Sequence, residues 1–191
     1  TLIILVMALL SKKDFNEKNN YLSLLLVVSF LSFATLARPN FFPTTIILVA
    51  YLSYLSLIKK NYLNLLFIFL GFSFSFLALF HNIYFGQSYH LFTISKAHFV
   101  FSEFYTNINM QDFQTNKLFI QLTRWSPINY IHRLIILIII LYYFIRFRQN
   151  LFLYTIFFCC ISQHAVLILT HPDSRYAYLA WLLTFILFVK I

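Results

Sequence analysis

The sequence predicts an all-α, polytopic transmembrane helix bundle of about six to seven spans, with a long extracytoplasmic loop that holds interfacial helices. Three observations lead there. Of 191 residues, 61% are hydrophobic and only 10% charged, where soluble domains carry about 25% charged residues. The apolar residues come in blocks of 15 to 20, not in the alternation that a membrane barrel needs. With 2 glycines and 4 prolines, collagen-like, linker-like and disordered compositions are excluded.

In chain order, the blocks are a partial helix at Thr1–Leu10, then Tyr21–Ala37, Phe41–Ile58, Tyr62–Phe80, Pro127–Ile145, Leu151–Thr170 and Ala177–Ile191. Each of the six longer blocks approaches the ~20 residues that cross a ~30 Å hydrocarbon layer. Three of the polar breaks carry helix-start signals: Asn40 ahead of Pro43, Ser126 ahead of Pro127, and Asp173 or Ser174 after Pro172. The opening run at Thr1 has neither an initiator Met nor the basic flank of a signal peptide. The whole, 1–191, therefore reads as a single transmembrane domain lacking an N-terminal part. Cys159 and Cys160 sit side by side in an apolar block; a bridge between neighbours is strained, so they read as packing thiols.

The net charge of +9 is an orientation signal in such a chain. No basic tract is longer than Lys12-Lys13 or Lys59-Lys60, so nucleic acid is not the expected partner. Counting breaks places Lys12, Lys13, Lys18, Lys59, Lys60, Arg146, Arg148 and Lys190 on one face, eight of the fourteen basic residues. By the positive-inside rule that face is cytoplasmic. The other face holds Arg38, Arg175 and a loop over 81–126 with Lys96, Lys117 and Arg124, while Arg133 lies just inside the following helix. Within this loop, Leu91 to Phe104 and Phe113 to Trp125 mix apolar and polar residues in the manner of helices lying on the outer leaflet. They either cover the bundle or wall a lipid-substrate cleft.

HExxH, P-loop and GxSxG patterns are missing, and Gly71 and Gly86 are the only glycines, which excludes glycine-rich phosphate loops. Polar residues inside or beside apolar blocks are therefore the candidates, because burying a charge in a membrane costs ~2.5–3.5 kcal/mol on insertion scales. The densest group is His171-Pro172-Asp173-Ser174-Arg175-Tyr176. Its Arg suits bidentate capture of phosphate oxygens beside a helix N-terminus, and its His can donate to the same anion. Equally, it reads as a capped turn with an Arg–Asp pair at the headgroups. Arg38-Pro39-Asn40 puts a second arginine on the same face, as an anion ligand or as a side chain snorkelling to headgroups. His132 and Arg133 could reach the same cleft, whereas Gln163-His164 reads as a hydrogen-bonded contact between helices. No catalytic residue and no metal ligand set is assigned; Glu103 and Asp112 form no evident acid/base pair.

Three of these segments resemble a family. The run Phe33-Ala34-Thr35-Leu36-Ala37-Arg38-Pro39-Asn40 is similar to the helix-ending Arg-Pro element of the polytopic GT-C glycosyltransferases. Asn82-Ile83-Tyr84-Phe85-Gly86 resembles the segment leading into their large outer loop, and His171–Tyr176 their late His-x-acid-x-Arg-aromatic turn. The resemblance covers most of the chain and is nearest to the dolichyl- or polyprenyl-phosphate-dependent, mannosyltransferase-like members. It implies transfer of a sugar from a polyprenyl-phosphate donor to an acceptor on the extracytoplasmic face. Arg38, His171, Asp173, Arg175 and Tyr176 would bind donor phosphate or substrate, and His132 and Arg133 would lie in the cleft. The partners would be membrane lipids, the lipid-linked donor and further subunits; a divalent metal stays open as cofactor. The implied location is a bacterial inner membrane or, alternatively, the endoplasmic reticulum. The family's acidic motif belongs to a first outer loop that this chain does not match, since Asp14 and Glu17 fall on the cytoplasmic side. Two other readings stay open: a non-catalytic membrane subunit or transporter segment, and a polymerase or ligase of lipid-linked glycans.

Overall fold

In a computed structural model, residues 2–12, 21–86, 129–145, 150–169 and 178–189 are described. All regular structure among them is helical. The chain forms two compact units, Thr1–Thr93 and Ile94–Ile191.

The first unit runs through α1 (Leu2–Lys12), α2 (Tyr21–Ala37), a 3-10 turn (Pro39–Phe41), α3 (Phe42–Ile58), α4 (Tyr62–Ser73), a second 3-10 turn (Phe74–Phe76) and α5 (Leu77–Gly86). The second contains α6 (Asn129–Ile145), α7 (Leu151–Leu169) and α8 (Tyr178–Val189). The helices follow the apolar blocks closely, with three differences. The block expected to end at Phe80 is broken at Phe74–Phe76 and then continues as helix to Gly86. His81 and Asn82 are polar, yet neither removes a backbone donor, so the helix continues through them to Gly86. The Asn82–Gly86 segment thus belongs to α5 and not to a loop. Asn40 lies inside the first 3-10 turn and does not cap α3; that place is taken by Phe41, whose side chain caps nothing, although Pro43 is in the first turn as expected. Asn61, by contrast, caps α4 by accepting from the Asn64 amide at 3.4 Å.

Among the described residues, no helix is long and apolar enough to cross a membrane. The expectation of full spans meets shorter elements: α2, α3 and α6 have 17 residues each, α4 and α8 have 12. At 1.5 Å per residue, 17 residues reach only about 26 Å. Arg38-Pro39 cuts the chain between α2 and α3, and the 19-residue α7 carries Ser162, Gln163 and His164 in its second half.

α2 is the centre of the first unit and packs on α1, α3 and α4. It is parallel to α4, as Tyr21 meets Phe67 (ring centroids 5.0 Å) and Phe33 meets Phe74 (5.5 Å). The two helices come closest at Gly71. A Cβ there would lie 2.9 Å from Val28 Cβ, 3.0 Å from the Leu25 carbonyl oxygen and 3.2 Å from the Ser29 nitrogen. Two of these neighbours are backbone atoms that cannot rotate away. Close approach is what lets the Ser32 hydroxyl donate to the Gly71 carbonyl at 2.9 Å.

In this unit several hydroxyl-bearing residues are buried within the apolar core while many large apolar side chains face outward. On α2, Ser29, Ser32 and Thr35 are buried with Leu24, Val27, Val28 and Leu31, while Leu22 and Leu26 are 59% and 58% exposed. Thr35 Oγ1 donates to the Leu31 carbonyl at 3.0 Å and meets Thr45 Oγ1 of α3 at 2.7 Å. On α4, the buried stripe is Asn64, Ile68 and Gly71, continued by Ser75 in the following turn. Leu66, Phe69 and Leu70 face outward. In the second unit, Leu137, Leu141, Ile145, Phe185 and Val189 are exposed, whereas Thr155, Gln163, His164 and Thr184 are buried.

Gly71→Ala is expected to lower stability by about 1–3 kcal/mol, because α2 and α4 must move apart to admit the methyl group. Denaturant unfolding of the purified protein in detergent checks this. Ala50→Gly, at an exposed position of α3, is the control that changes helix propensity alone. Thr45→Val is expected to cost about 1 kcal/mol by removing the hydroxyl contact between α2 and α3, read from the same transition.

Candidate functional site

Arg38 is the one expected ligand whose surroundings are described. It follows the last residue of α2, and its amide donates to the Ala34 carbonyl at 3.0 Å, closing the helix. Its own carbonyl accepts from Phe41 at 2.9 Å, which folds Pro39–Phe41 into the 3-10 turn. Pro39 contributes no amide proton, so the chain cannot extend α2 and turns instead. The guanidinium side chain is exposed. Just beyond, α3 starts at Phe42, and the side chain of Phe41 before it makes no cap. A helix N-terminus carries about half a positive charge. Behind the turn, the Thr35–Thr45 contact joins the two helices within the apolar interior.

This end of the first unit is strongly biased toward anions. None of the described residues of the unit is Asp or Glu; the nearest acids in the sequence are Glu17 and Glu103. Lys59 and Lys60 are at the other end of α3, both exposed, with Lys60 in the left-handed region at φ 53°. One helix therefore separates Arg38 from the paired lysines, as the count of breaks expects.

The remaining expected ligands are not brought to Arg38 by anything described. His171, Asp173, Arg175 and Tyr176 lie outside the described residues, as do Glu103, Asp112, the Ser126-Pro127 signal and the 87–126 part of the expected loop. His132 and Arg133 are on α6 near its start, with their side chains outside the description. Among the described residues, no group of three or more His, Cys, Asp or Glu could hold a metal ion.

Of the Gln163-His164 pair, both are buried and His164 makes the expected contact between helices. His164 Nε2 is 2.9 Å from Thr184 Oγ1 of α8, and its ring meets Trp181 edge to face at 5.2 Å. Cys159 and Cys160 form no disulfide and are buried. Reading each as an isolated packing thiol misses one relation: Cys160 is one helical turn before His164, and its Sγ is 3.4 Å from the same Thr184 oxygen. The spacing of four residues is the signal that could have found it, because positions i and i+4 share a helix face. Near the start of α7, Tyr154 donates its hydroxyl to the Tyr143 carbonyl at 3.0 Å, and Phe157 stacks on Tyr143 at 5.3 Å. These aromatic contacts tie α6 to α7. No protein-family profile, no curated protein and no solved structure matches the chain.

Proposed function

We propose that the chain is a multi-pass membrane protein of the GT-C glycosyltransferase type, and that Arg38 receives the phosphate of a polyprenyl-phosphate sugar on the extracytoplasmic face. The observation that carries the phosphate reading is an exposed arginine at the turn between α2 and α3, in a unit whose described residues include no carboxylate. A guanidinium matches phosphate oxygens with paired donors.

The membrane reading rests on those buried hydroxyls and outward-facing apolar side chains. Exposed leucines and phenylalanines beside buried hydroxyls are unfavourable in water, where apolar surface drives burial. In hydrocarbon the preference reverses, since lipid tails solvate Leu and Phe while small and hydroxyl-bearing residues join the helices. Length is gained by continuity: α4, the Phe74–Phe76 turn and α5 follow one another over 25 residues that contain no Asp, Glu, Lys or Arg. That stretch supplies the reach that neither helix has alone.

In the proposed transfer, an acceptor oxygen bonds to the anomeric carbon as the bond from that carbon to the phosphate oxygen breaks. Negative charge grows on the departing polyprenyl phosphate. Arg38 stabilises it, and by the family resemblance His171, Asp173, Arg175 and Tyr176 are the further candidates for donor-phosphate or substrate binding. Such charge stabilisation contributes several kcal/mol per well-placed donor. No residue of this chain is assigned as the base that takes the acceptor proton.

Arg38→Ala and Arg175→Ala are each expected to lower sugar transfer by the full-length protein at least about 100-fold, with membrane insertion unchanged. Turnover of a radiolabelled polyprenyl-phosphate sugar in membrane vesicles measures it; undiminished transfer in both variants overturns the arginines as phosphate ligands, and absence of transfer by the unsubstituted protein favours a non-catalytic membrane subunit. Orientation is checked separately. The thiol of Ser88→Cys should react with an impermeant maleimide from outside intact cells, and that of Lys59→Cys only after permeabilisation.

A further inference from the structure

Three side chains of the second unit converge on one point between α7 and α8. Thr184 Oγ1 donates to the Ala180 carbonyl at 2.8 Å. With that proton on the Ala180 carbonyl, the Thr184 lone pairs accept from the other two partners: His164 in its Nε2–H tautomer at 2.9 Å, and the Cys160 thiol at 3.4 Å. Both protons point at a single oxygen, and all three residues are buried.

When those two protons are replaced by one cation, the sulfur, the imidazole nitrogen and the hydroxyl oxygen become its ligands. We propose that Cys160, His164 and Thr184 form a site for a soft monovalent metal ion of the Cu(I) or Ag(I) class. Thiolate and imidazole are the ligands such ions select. Charge decides against a divalent ion. None of α6, α7 and α8 contains an Asp or Glu, so one thiolate with a monovalent ion is neutral, whereas one thiolate with a divalent ion leaves a net charge in an apolar interior. Binding breaks the Cys160 S–H bond, forms a sulfur–metal bond and releases that proton to solvent. The His164 proton moves from Nε2 to Nδ1, making the Nε2 lone pair available to the metal. Nothing is oxidised or reduced. Cys159, next in the chain, is also a buried thiol; it is turned about 100° away around the helix axis and serves as the internal control.

The test is a calorimetric titration of the full chain in detergent with Ag(I), with Zn(II) as the comparison. One equivalent of Ag(I) should bind, with Zn(II) weaker by at least about 100-fold. Cys160→Ala and His164→Gln should each weaken Ag(I) by more than the ~10–100-fold that loss of an outer-shell metal partner costs, while Cys159→Ala leaves it unchanged. A measurement on the unsubstituted chain guards against variants that misfold: the first equivalent should shift one imidazole 15N resonance among those of the 6 histidines. Equal binding of Zn(II), loss of binding in Cys159→Ala, or an unmoved imidazole spectrum overturns the site.

Discussion

The first unit depends on how near α2 can come to α4. At Gly71 the missing side chain lets a carbonyl reach Ser32 and lets Val28 and the backbone of Leu25 and Ser29 close on the helix. Every neighbouring contact inherits that separation. The Tyr21–Phe67 and Phe33–Phe74 ring pairs bracket it, and the Thr35–Thr45 hydroxyl contact holds α3 one turn farther along α2. Cohesion here joins close backbone approach and hydroxyl pairing to the burial of Leu24, Leu31, Leu48, Leu52 and Ile68.

That arrangement fixes where Arg38 stands. α2 and α3 are held together up to their last and first turns, so the residue between them has no room to withdraw inward. Pro39 prevents continuation of α2, and the 3-10 turn reverses the chain over three residues. The arginine consequently stands, exposed, at the corner between the two helices.

Much of the helical layout is legible in the sequence. Tyr21–Ala37 is recovered with the same ends, because Asn20 and Arg38-Pro39 bound an uninterrupted apolar run. The continuation through His81 and Asn82 is not legible, as hydropathy falls there while the backbone's capacity for helical hydrogen bonds does not. Arg38-Pro39 is legible as the end of α2, because a cation suits the carbonyl end of a helix and proline cannot continue it. Gly71 is one of two glycines, but its role depends on which helix faces it, which a single sequence does not disclose. The relation of Cys160 to His164 is open to spacing alone, whereas Thr184 stands 20 residues farther on in another helix, where only the fold can bring it.

The Phe74–Phe76 turn has a further geometric effect. An α-helix advances about 100° per residue and a 3-10 helix about 120°. Three residues of the tighter kind therefore rotate everything beyond them by about 60° relative to a straight continuation of α4. Beyond the turn, Phe80, His81, Ile83 and Tyr84 are exposed on α5. The turn works as a phase shifter, uncoupling the face that α5 presents from the face by which α4 is anchored.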